Sequence, residues 1–416
     1  MLKNYIKMAL KVLVRRKFFT AISLFGVGFT LMVLLVASAI LDHTVAPMPP
    51  EVNIDRTLMV SRMQMMGGTE ERQSVWIGDP GYWLLDEYCR DIPGVVAFSI
   101  CSIGHDVASF LDGEKVVSKL RRTDAPYWEI LDFSFLEGGP FTAEDEANAT
   151  MVAVINEATR HRFFGGEPAL GRFIEADGQS YRVMGVVENV SITRHSAYAD
   201  IWVPHSTARS QAFRQEPMGG HLGLLMAVSR DDFPAIKAEF ASRLPHVELT
   251  DPWHTIKGQP MTLMEAAALQ ISDSEIDKEP PVYLLILMSM GLVAAFLFLP
   301  TVNLVSINLS RIIERSSEIG VRKAFGASSG HLVVQFIVEN LVLCLVGGLL
   351  ALAGAAVVLE LFEGSGLIPH AEFSLNFRVW FYALGLAILF GLISGAYPAW
   401  RTSRLNPVDA LRGGAR

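Results

Sequence analysis

The sequence predicts an α-helical membrane protein with four transmembrane helices and a large mixed α/β (α+β) extracytoplasmic domain inserted between helices 1 and 2. Four segments are apolar and almost free of charge, and each reaches or approaches the roughly 20 residues that a helix needs to cross a bilayer. Of the 416 residues, 51% are hydrophobic and only 19% are charged. Between the first two segments, residues 42–281 are polar and long enough to fold as a domain. The predicted spans are residues 18–41, 282–309, 332–359 and 379–397.

The charge balance and the first apolar segment each argue against one class of protein. A net charge of −8 argues against a nucleic-acid-binding protein, which needs a basic face. The first apolar segment is too long for the core of a signal peptide, and no small-residue cleavage site follows it promptly. We therefore expect residues 18–41 to remain as a membrane anchor.

Residues 1–17 are predicted to form a cytoplasmic amphipathic helix before the first span. Basic residues recur there every four positions and therefore share one helix face. They are Lys3, Lys7, Lys11 and Arg15. Such a helix lies on the surface of the lipid bilayer, with its apolar side chains among the acyl chains. A charge cluster that only sets the membrane orientation is the alternative, and the two roles are compatible.

Lysine and arginine residues near the span ends indicate the orientation. They precede the first span and occur in the connection at residues 310–331 and in the tail at residues 398–416, whereas the connection at residues 360–378 is acidic. Cytoplasmic loops carry the excess of Lys and Arg. Both termini are therefore predicted to be cytoplasmic, and the domain at residues 42–281 periplasmic or extracellular. This is a multi-pass topology in a bacterial inner (plasma) membrane.

The outer domain has a mixed pattern in which two β-α-β units lie far apart in sequence. The first is predicted as strand 57–63, helix 80–90 and strand 95–101, and the second as strand 222–229, helix 233–243 and strand 246–250. Two such units indicate a split ferredoxin-like layer. We place this layer at about residues 50–101 and 220–252, with an insert at about residues 102–219.

The insert carries clear local signals. A helix is predicted at residues 157–164, directly after an apolar strand. Asn156 can cap its start, and Gly165 suits the left-handed position after its end. Asp177 and Gly178 separate two strand-like segments, which is typical of a type I′ hairpin.

The outer domain shows no pattern of catalytic, cofactor-binding or metal-binding residues. His105, His161 and His195 lack metal-ligand spacing and are predicted to be surface or structural residues. Cys89 and Cys101 could pair in an oxidising compartment. Two separate buried thiols are the preferred interpretation, because their spacing matches no motif.

The connection between spans two and three carries the strongest local signal. Two glycines bracket a stretch of apolar and basic residues, which predicts a short helix at the cytoplasmic mouth. Such a helix can dock in a groove of a soluble partner, and an ordinary amphipathic connector is the alternative. The candidate docking residues are Glu314, Arg315, Glu318, Ile319, Gly320, Val321, Arg322, Lys323, Ala324, Phe325, Gly326 and Ala327.

Polar and small residues inside the spans are candidates for close helix contacts. Polar side chains within a membrane usually pair with another helix, and glycines allow two helices to approach closely. No matching polar track crosses the spans, so a dimer seam is preferred over a substrate path. The candidates are Asn303, Asn308, Glu339, Asn340, Gly347 and Gly348.

Three parts of the chain resemble FtsX-like ABC transporter permeases. Residues 314–327 hold Glu-Arg, then Glu-Ile-Gly, Arg, Ala and Gly-Ala in the order of that family's ER..EIG.R.A.GA signature. Pro-Ala-Trp-Arg at residues 398–401 and Pro-Val-Asp-Ala-Leu-Arg at residues 407–412 resemble its C-terminal motif. Residues 141–186 are similar to the periplasmic core domain of MacB-type members.

The resemblance implies a set of partners and a way of working. The short cytoplasmic helix would be the coupling helix that docks on an ABC ATPase, and the split layer and the insert would be the subdomains called porter and Sabre. The permease would work as a dimer, with a second copy or a paralogue, bound to two ATPase subunits that hold ATP and Mg. ATP-driven closure would pass through the spans to the outer domain, a process called mechanotransmission.

The sequence contains no G-x-x-x-x-G-K-[ST] motif, so we expect the ATPase on a separate chain. This subunit is then not an enzyme by itself and holds no cofactor. Its expected role is to export or extract an amphipathic cargo such as a peptide, antibiotic or lipoprotein, with a periplasmic adaptor as a candidate partner. The alternative is a non-transporting FtsX-like scaffold that activates a periplasmic enzyme or relays a signal.

Overall fold

The computed structural model describes residues 2–15, 17–69, 72–111, 113–272, 276–296, 298 and 329–403. The chain divides into two compact units. We call the first the helical unit; it comprises Met1–Asp42, Ile286–Ser365 and Phe373–Arg416. We call the second the sheet unit; it comprises His43–Leu285 and Gly366–Glu372.

Long helices build the helical unit, and shorter ones accompany the sheets. The α-helices are α1 (Leu2–Arg15), α2 (Lys17–Val45), α3 (Tyr82–Tyr88), α4 (Tyr127–Ile130), α5 (Ala143–Ala147), α6 (Glu157–Phe164), α7 (Phe233–Arg243), α8 (Leu263–Ser272), α9 (Val282–Phe296), α10 (Ser329–Ser365) and α11 (Phe377–Ser403). Short 3-10 helices cover Ile54–Arg56, His205–Thr207, Ala212–Gln215, Arg230–Asp232 and Leu244–His246.

Within the described residues, two helices are long and apolar enough to cross a membrane, Lys17–Val45 and Ile337–Ser365. The spans predicted at residues 18–41 and 332–359 therefore lie inside longer helices.

Two further apolar helical stretches are shorter, Val282–Phe296, which is α9, and Phe377–Leu389, which is the first part of α11. They coincide with the beginnings of the spans predicted at residues 282–309 and 379–397. In the span predicted at residues 282–309, almost all of the part after Phe296 lies outside the described residues. The total of four spans stays a prediction.

Helix α1 has two different faces. Lys7, Lys11 and Arg15 are exposed, whereas Ala9 and Leu13 are buried. This is the segregation expected from the four-residue spacing of the basic side chains. The position of α1 on a bilayer stays a prediction.

Thirteen strands are described in the sheet unit. They are β1 (Thr57–Val60), β2 (Met63–Thr69), β3 (Arg72–Gly78), β4 (Val95–Ser102), β5 (His105–Leu111), β6 (Glu114–Thr123), β7 (Phe135–Gly138), β8 (Val152–Asn156), β9 (Phe173–Ala176), β10 (Gln179–Val187), β11 (Ile201–Pro204), β12 (His221–Ala227) and β13 (Trp253–Gly258).

Ten of the described strands form one mixed sheet. Its order is β1-β12-β4-β6-β11-β8-β10-β7, with β5 added to β6 and β9 added to β10. The pairs β11–β6 and β10–β8 are parallel, and the other pairs are antiparallel. The remaining three strands form a separate antiparallel sheet in the order β13-β2-β3.

The split layer predicted from the sequence corresponds to one end of the large sheet. Strand β12 lies between β1 and β4, so the segments on both sides of the insert meet there. The insert's strands continue the same sheet instead of forming a detached layer. The assignment of residues 50–101 with 220–252 and of residues 102–219 to two subdomains stays a prediction.

Two strand predictions are corrected. The strand predicted at residues 57–63 breaks after Val60, and the chain passes from the large sheet into β2 of the small one. The strand predicted at residues 246–250 is wrong, because Val247 and Leu249 pack against a core without a ladder partner. Their alternating burial imitates a strand. The strand itself, β13, comes later and joins β2.

The local predictions for the insert are confirmed. Asn156 Oδ1 accepts a hydrogen bond of 2.8 Å from the backbone N–H of Thr159 at the start of α6. Gly165 follows α6 with φ of 64°. Asp177 and Gly178 have φ of 52° and 62°, as a type I′ turn requires, and they connect β9 to β10.

Candidate functional site

The docking residues predicted at positions 314–327 lie outside the described residues, as do Asn303 and Asn308. The structure therefore describes two other regions that bear on function. One is the packing of α2, α10 and α11 in the helical unit. The other is a buried polar region of the sheet unit.

Two of the polar residues predicted at a dimer seam are buried within the helical unit itself. Asn340 is 4% exposed, and its Nδ2 donates a hydrogen bond of 3.3 Å to the carbonyl oxygen of Gly391. Glu339 is 3% exposed and accepts a hydrogen bond of 3.1 Å from Gln335 Nε2. Asn340 therefore joins α10 to α11 within one chain, whereas its hydrogen bonding was predicted at a seam between two chains.

The two glycines of the predicted seam also serve contacts within one chain. The carbonyl oxygen of Gly348 accepts a hydrogen bond of 3.0 Å from Trp380 Nε1. A Cβ atom added to Gly347 would lie only 3.0 Å from Val27 Cγ1, so α2 and α10 approach closely there. These contacts lie within one chain and do not test a contact with a second copy. The seam itself stays a prediction.

An irregular segment of the sheet unit, residues 191–199, has its carbonyl groups held by buried side chains. Arg121, which is 4% exposed, donates hydrogen bonds of 2.7 Å to the carbonyl of His195 and 3.3 Å to that of Tyr198. Tyr127 Oη donates at 2.9 Å to the carbonyl of Ser196. Because irregular backbone is seldom buried, these side-chain hydrogen bonds to three of its carbonyls indicate that the segment is held in place. We call residues 191–199 the joint segment.

A buried ion pair attaches the joint segment to the chain that leaves α2. Arg194 Nη1 lies 3.1 Å from Glu51 Oε2 and donates a hydrogen bond of 2.9 Å to the carbonyl of Ala46. The side chains of Arg194 and Glu51 are only 2% and 4% exposed. The Ser196 hydroxyl also donates to the Glu51 carboxylate. The positive and negative charges thus satisfy each other away from water.

Two cavities of about 550 Å³ and about 450 Å³ adjoin the joint segment within the sheet unit. They share the lining residues Ser61, Asp79, His195 and Leu222. Burial raises the pKa of the Asp79 carboxyl. Both volumes lie within the range of about 300–1,000 Å³ that suits a drug-sized ligand.

Four packed rings lie beside the smaller cavity, which His221 also lines. The ring centroids of Tyr82 and His205 are 5.2 Å apart, and those of His205 and His221 are 5.6 Å apart. Phe213 stacks on His221, and Arg214 Cζ lies 4.6 Å from the centroid of the Tyr82 ring. This arrangement is an apolar and aromatic setting for two imidazoles.

The surroundings shift the pKa values of four side chains in and near this cluster. Burial lowers the pKa of His205 to about 3 and that of His221 to about 4. Burial raises the pKa of Asp124 to about 6 and, with help from the Asp124 charge, that of Glu146 to about 7. Both imidazoles are therefore neutral at neutral pH.

The predicted structural roles of the cysteines agree with the structure. Cys89 and Cys101 are free and fully buried, so two separate thiols are present. Burial raises the pKa of both thiols and keeps them protonated. Across the described residues, no group of three or more His, Cys, Asp or Glu could hold a metal ion.

The predicted histidines do not come together as a site. His161 is exposed on α6, and His105 lies in β5. His195 belongs to the joint segment and lines both cavities. Sequence reasoning missed Glu51, Arg121 and Arg194, because a charged residue among polar ones gives no sign of burial. Leu120, directly before Arg121 in β6, is the one apolar neighbour of that residue.

Comparison with known proteins assigns two large regions of the chain to known families. The family model described as the MacB-like periplasmic core domain matches residues 20–243, and the one described as the FtsX-like permease C-terminal region matches residues 285–407. These two regions agree with the resemblance seen in the motifs. The matched order is the core domain first and the permease region second.

Two named relatives agree with these family models. The macrolide export ATP-binding/permease protein MacB of Wolinella succinogenes is 29% identical over 297 residues, which are 71% of this chain and 43% of that protein. The pyoverdine export ATP-binding/permease protein PvdT of Pseudomonas aeruginosa is 30% identical over 295 residues, which are 70% of this chain and 41% of that protein. The matched part is thus less than half the length of either relative.

Among solved structures, the periplasmic region of MacB from Actinobacillus actinomycetemcomitans is 13% identical, with a TM-score of 0.37. That match covers 52% of this chain and 94% of that one. The family models together account for most of the sequence, and the described helices include two that are able to cross a membrane. The chain belongs to the family of ABC transporter permeases that join a MacB-like periplasmic core domain to an FtsX-like permease region.

Proposed function

We propose that this chain is the membrane subunit of a MacB/FtsX-type ABC transporter. It converts ATP hydrolysis by an ABC ATPase into a conformational change of the sheet unit, and this change exports or extracts an amphipathic cargo. The observation that carries the proposal is the order of the two matched regions in one chain, with the sheet unit joined to apolar helices at both ends. ATP and Mg are bound by the ATPase, and this chain performs no catalysis by itself.

The proposed topology places both termini in the cytoplasm and the sheet unit in the periplasm. The basic residues near the span ends support this orientation. The working assembly holds two permease chains and two ATPase subunits in a bacterial inner membrane, and a periplasmic adaptor can join it. The two cavities beside the joint segment have the size and mixed lining that an amphipathic antibiotic or short peptide needs.

The proposed docking element is the segment at residues 314–327, and charge reversal tests it. The double substitution Arg322→Glu and Lys323→Glu should abolish co-purification of the ATPase, because it replaces two positive charges of the docking helix with negative ones. The measurement is the amount of ATPase recovered with the tagged permease from membranes.

Lys115→Glu with Arg182→Glu is the matched control, because it makes the same change of charge on exposed positions of the sheet unit, away from the basic residues that indicate the membrane orientation. The control should recover as much ATPase as the wild type does. Equal recovery with Arg322→Glu and Lys323→Glu would show that the docking assignment is wrong.

The composition of the assembly is a separate prediction. Native mass spectrometry of the tagged chain, purified in mild detergent, should give two permease chains with two ATPase subunits. Recovery without any ATPase would contradict the transporter proposal. ATP turnover without movement of any cargo across a reconstituted membrane would favour the scaffold role instead.

A further inference from the structure

We infer that the joint segment, residues 191–199, is the element that passes movement of the chain leaving α2 into the large sheet, with the Arg194–Glu51 ion pair as its connection. The inference rests on the proposed function and names the residues that would carry it. It concerns positioning residues and not a catalytic group.

The first step is that the joint segment is firmly attached to the sheet. Arg121 belongs to β6, and it reaches the carbonyls of His195 and Tyr198. The backbone N–H of Asp200, directly after the segment, donates a hydrogen bond of 2.8 Å to the carbonyl of Lys119 in β6. A displacement of the segment is therefore a displacement of β6 and of its neighbour β11.

The second step is that the chain leaving α2 is held almost at once. Helix α2 ends at Val45, and the carbonyl of the very next residue, Ala46, accepts the hydrogen bond from Arg194. Glu51 then pairs with the same guanidinium group. Because both charges are buried, separating them would leave each one away from water without a partner, which is costly. The pair therefore moves as one body.

The third step is a further attachment at the other end of the segment. The backbone N–H of Ile192 donates a hydrogen bond of 3.4 Å to the carbonyl of Pro369. Pro369 lies in the connection between α10 and α11, within the part that belongs to the sheet unit. Two connections that continue from long helices thus meet the same nine-residue segment.

The sheet unit offers a matched comparison for the ion pair. Arg160 Nη1 lies 2.8 Å from Glu137 Oε1, and both side chains are 16% exposed. This pair joins α6 to β7, and neither residue contacts the joint segment in the described structure. Removing the Arg160–Glu137 pair should lower stability but should not change how movement of the chain leaving α2 reaches the large sheet.

The experiment compares two double variants of the full permease–ATPase complex. Glu51→Ala with Arg194→Ala removes the connection, and Glu137→Ala with Arg160→Ala is the control. Hydrogen exchange is measured by mass spectrometry in the nucleotide-free state and after trapping with ATP and vanadate. In the wild type, trapping should change exchange in the joint segment and in β6 and β11.

The connection variant should lose at least about half of this nucleotide-dependent change, while its ATP turnover and ATPase binding persist. The control variant should keep the change in full. A merely structural role would lower the melting temperature of both variants and leave the nucleotide response of both intact, and that result would overturn the inference.

The remaining outcomes are also decisive. If the connection variant fails to fold, Glu51→Gln replaces it, because the amide keeps the shape and removes the charge. A full response in that variant would mean that other attachments, such as the hydrogen bond from Asp132 to the carbonyl of Pro50, are sufficient, and the inference would fall. A wild-type complex without any response in the sheet unit would refute the proposed function and the inference together.

Discussion

Individual side chains of the sheet unit change the stability of the folded state with pH in opposite directions. His205 and His221 are neutral in the folded state down to about pH 3 and pH 4, whereas a histidine in an unfolded chain takes up a proton near pH 6.5. Stability from these two residues is therefore full above pH 6.5 and is lost as the pH falls below it.

Asp124 has the opposite sign. Its folded-state pKa of about 6 lies above its ordinary value of 3.8. Between these two values the folded state holds a proton that the unfolded state has released, so stability falls as the pH rises. Glu146, whose folded-state pKa of about 7 lies above its ordinary value of 4.5, acts in the same direction as Asp124, so the two carboxyls together largely offset the two imidazoles in mildly acidic solution.

Removing the Asp124 carboxyl should make its contribution to the pH dependence of stability measurable. In Asp124→Asn the group no longer titrates, so the variant should gain stability relative to the wild type as the pH rises. The gain is about 2 kcal/mol between pH 4 and pH 7. Melting temperatures of the purified chain, followed by tryptophan fluorescence at both pH values, measure it.

The control for this pH effect is Glu87→Gln, which removes an exposed carboxylate. The difference in stability between Glu87→Gln and the wild type should change much less between pH 4 and pH 7. A difference between Asp124→Asn and the wild type that is the same at pH 4 and pH 7 would show that Asp124 has an ordinary pKa.

At the scale of elements, α2 and α10 depend on a close approach at Gly347. The substitution Gly347→Leu should force these helices apart, because even a Cβ atom there would press on Val27. Overpacking of this kind costs about 1–3 kcal/mol. The measurement is the melting temperature in detergent, together with recovery from size-exclusion chromatography.

Gly385 in α11 provides the comparison for Gly347. A Cβ atom at Gly385 meets no other atom within 4 Å, so Gly385→Leu should be tolerated. Equal losses in both variants would mean that bulk in these helices is harmful wherever it is added. The close contact between α2 and α10 would then have no special importance.

The elements that were predictable from the sequence have signals close to one another in the chain. Helix α7 has the predicted bounds, and the turn at Asp177 and Gly178 requires only two adjacent residues of the right type. The false strand at residues 246–250 shows the limit of this reasoning. Burial alternates there as it does in a strand, but pairing depends on a distant partner that β2 gives to β13 instead.

At the scale of the whole molecule, the sequence likewise reveals some of the candidate functional residues and not others. The proposed docking segment at residues 314–327 can be recognised in the sequence because its motif is continuous. The connection between Glu51 and Arg194 is not visible, because the two residues lie 143 positions apart and only the fold brings them together. The resemblance to a family thus indicates the class of transporter. The structure identifies the side chains that join the chain leaving α2 to the joint segment.

The place of β12 in the large sheet has a consequence for how the protein is made. Strand β1 forms its ladder with β12 and not with β4, so one end of the sheet stays open until His221–Ala227 has crossed the membrane. Pairing between distant segments is slow, and unpaired strand edges invite aggregation. During synthesis, β1 and the edge of β4 that pairs with β12 must therefore remain unpaired until the insert has emerged, whereas the other edge of β4 can already pair with β6. A chain that stops before β12 leaves β1 and this edge of β4 open, and such edges can pair with another chain.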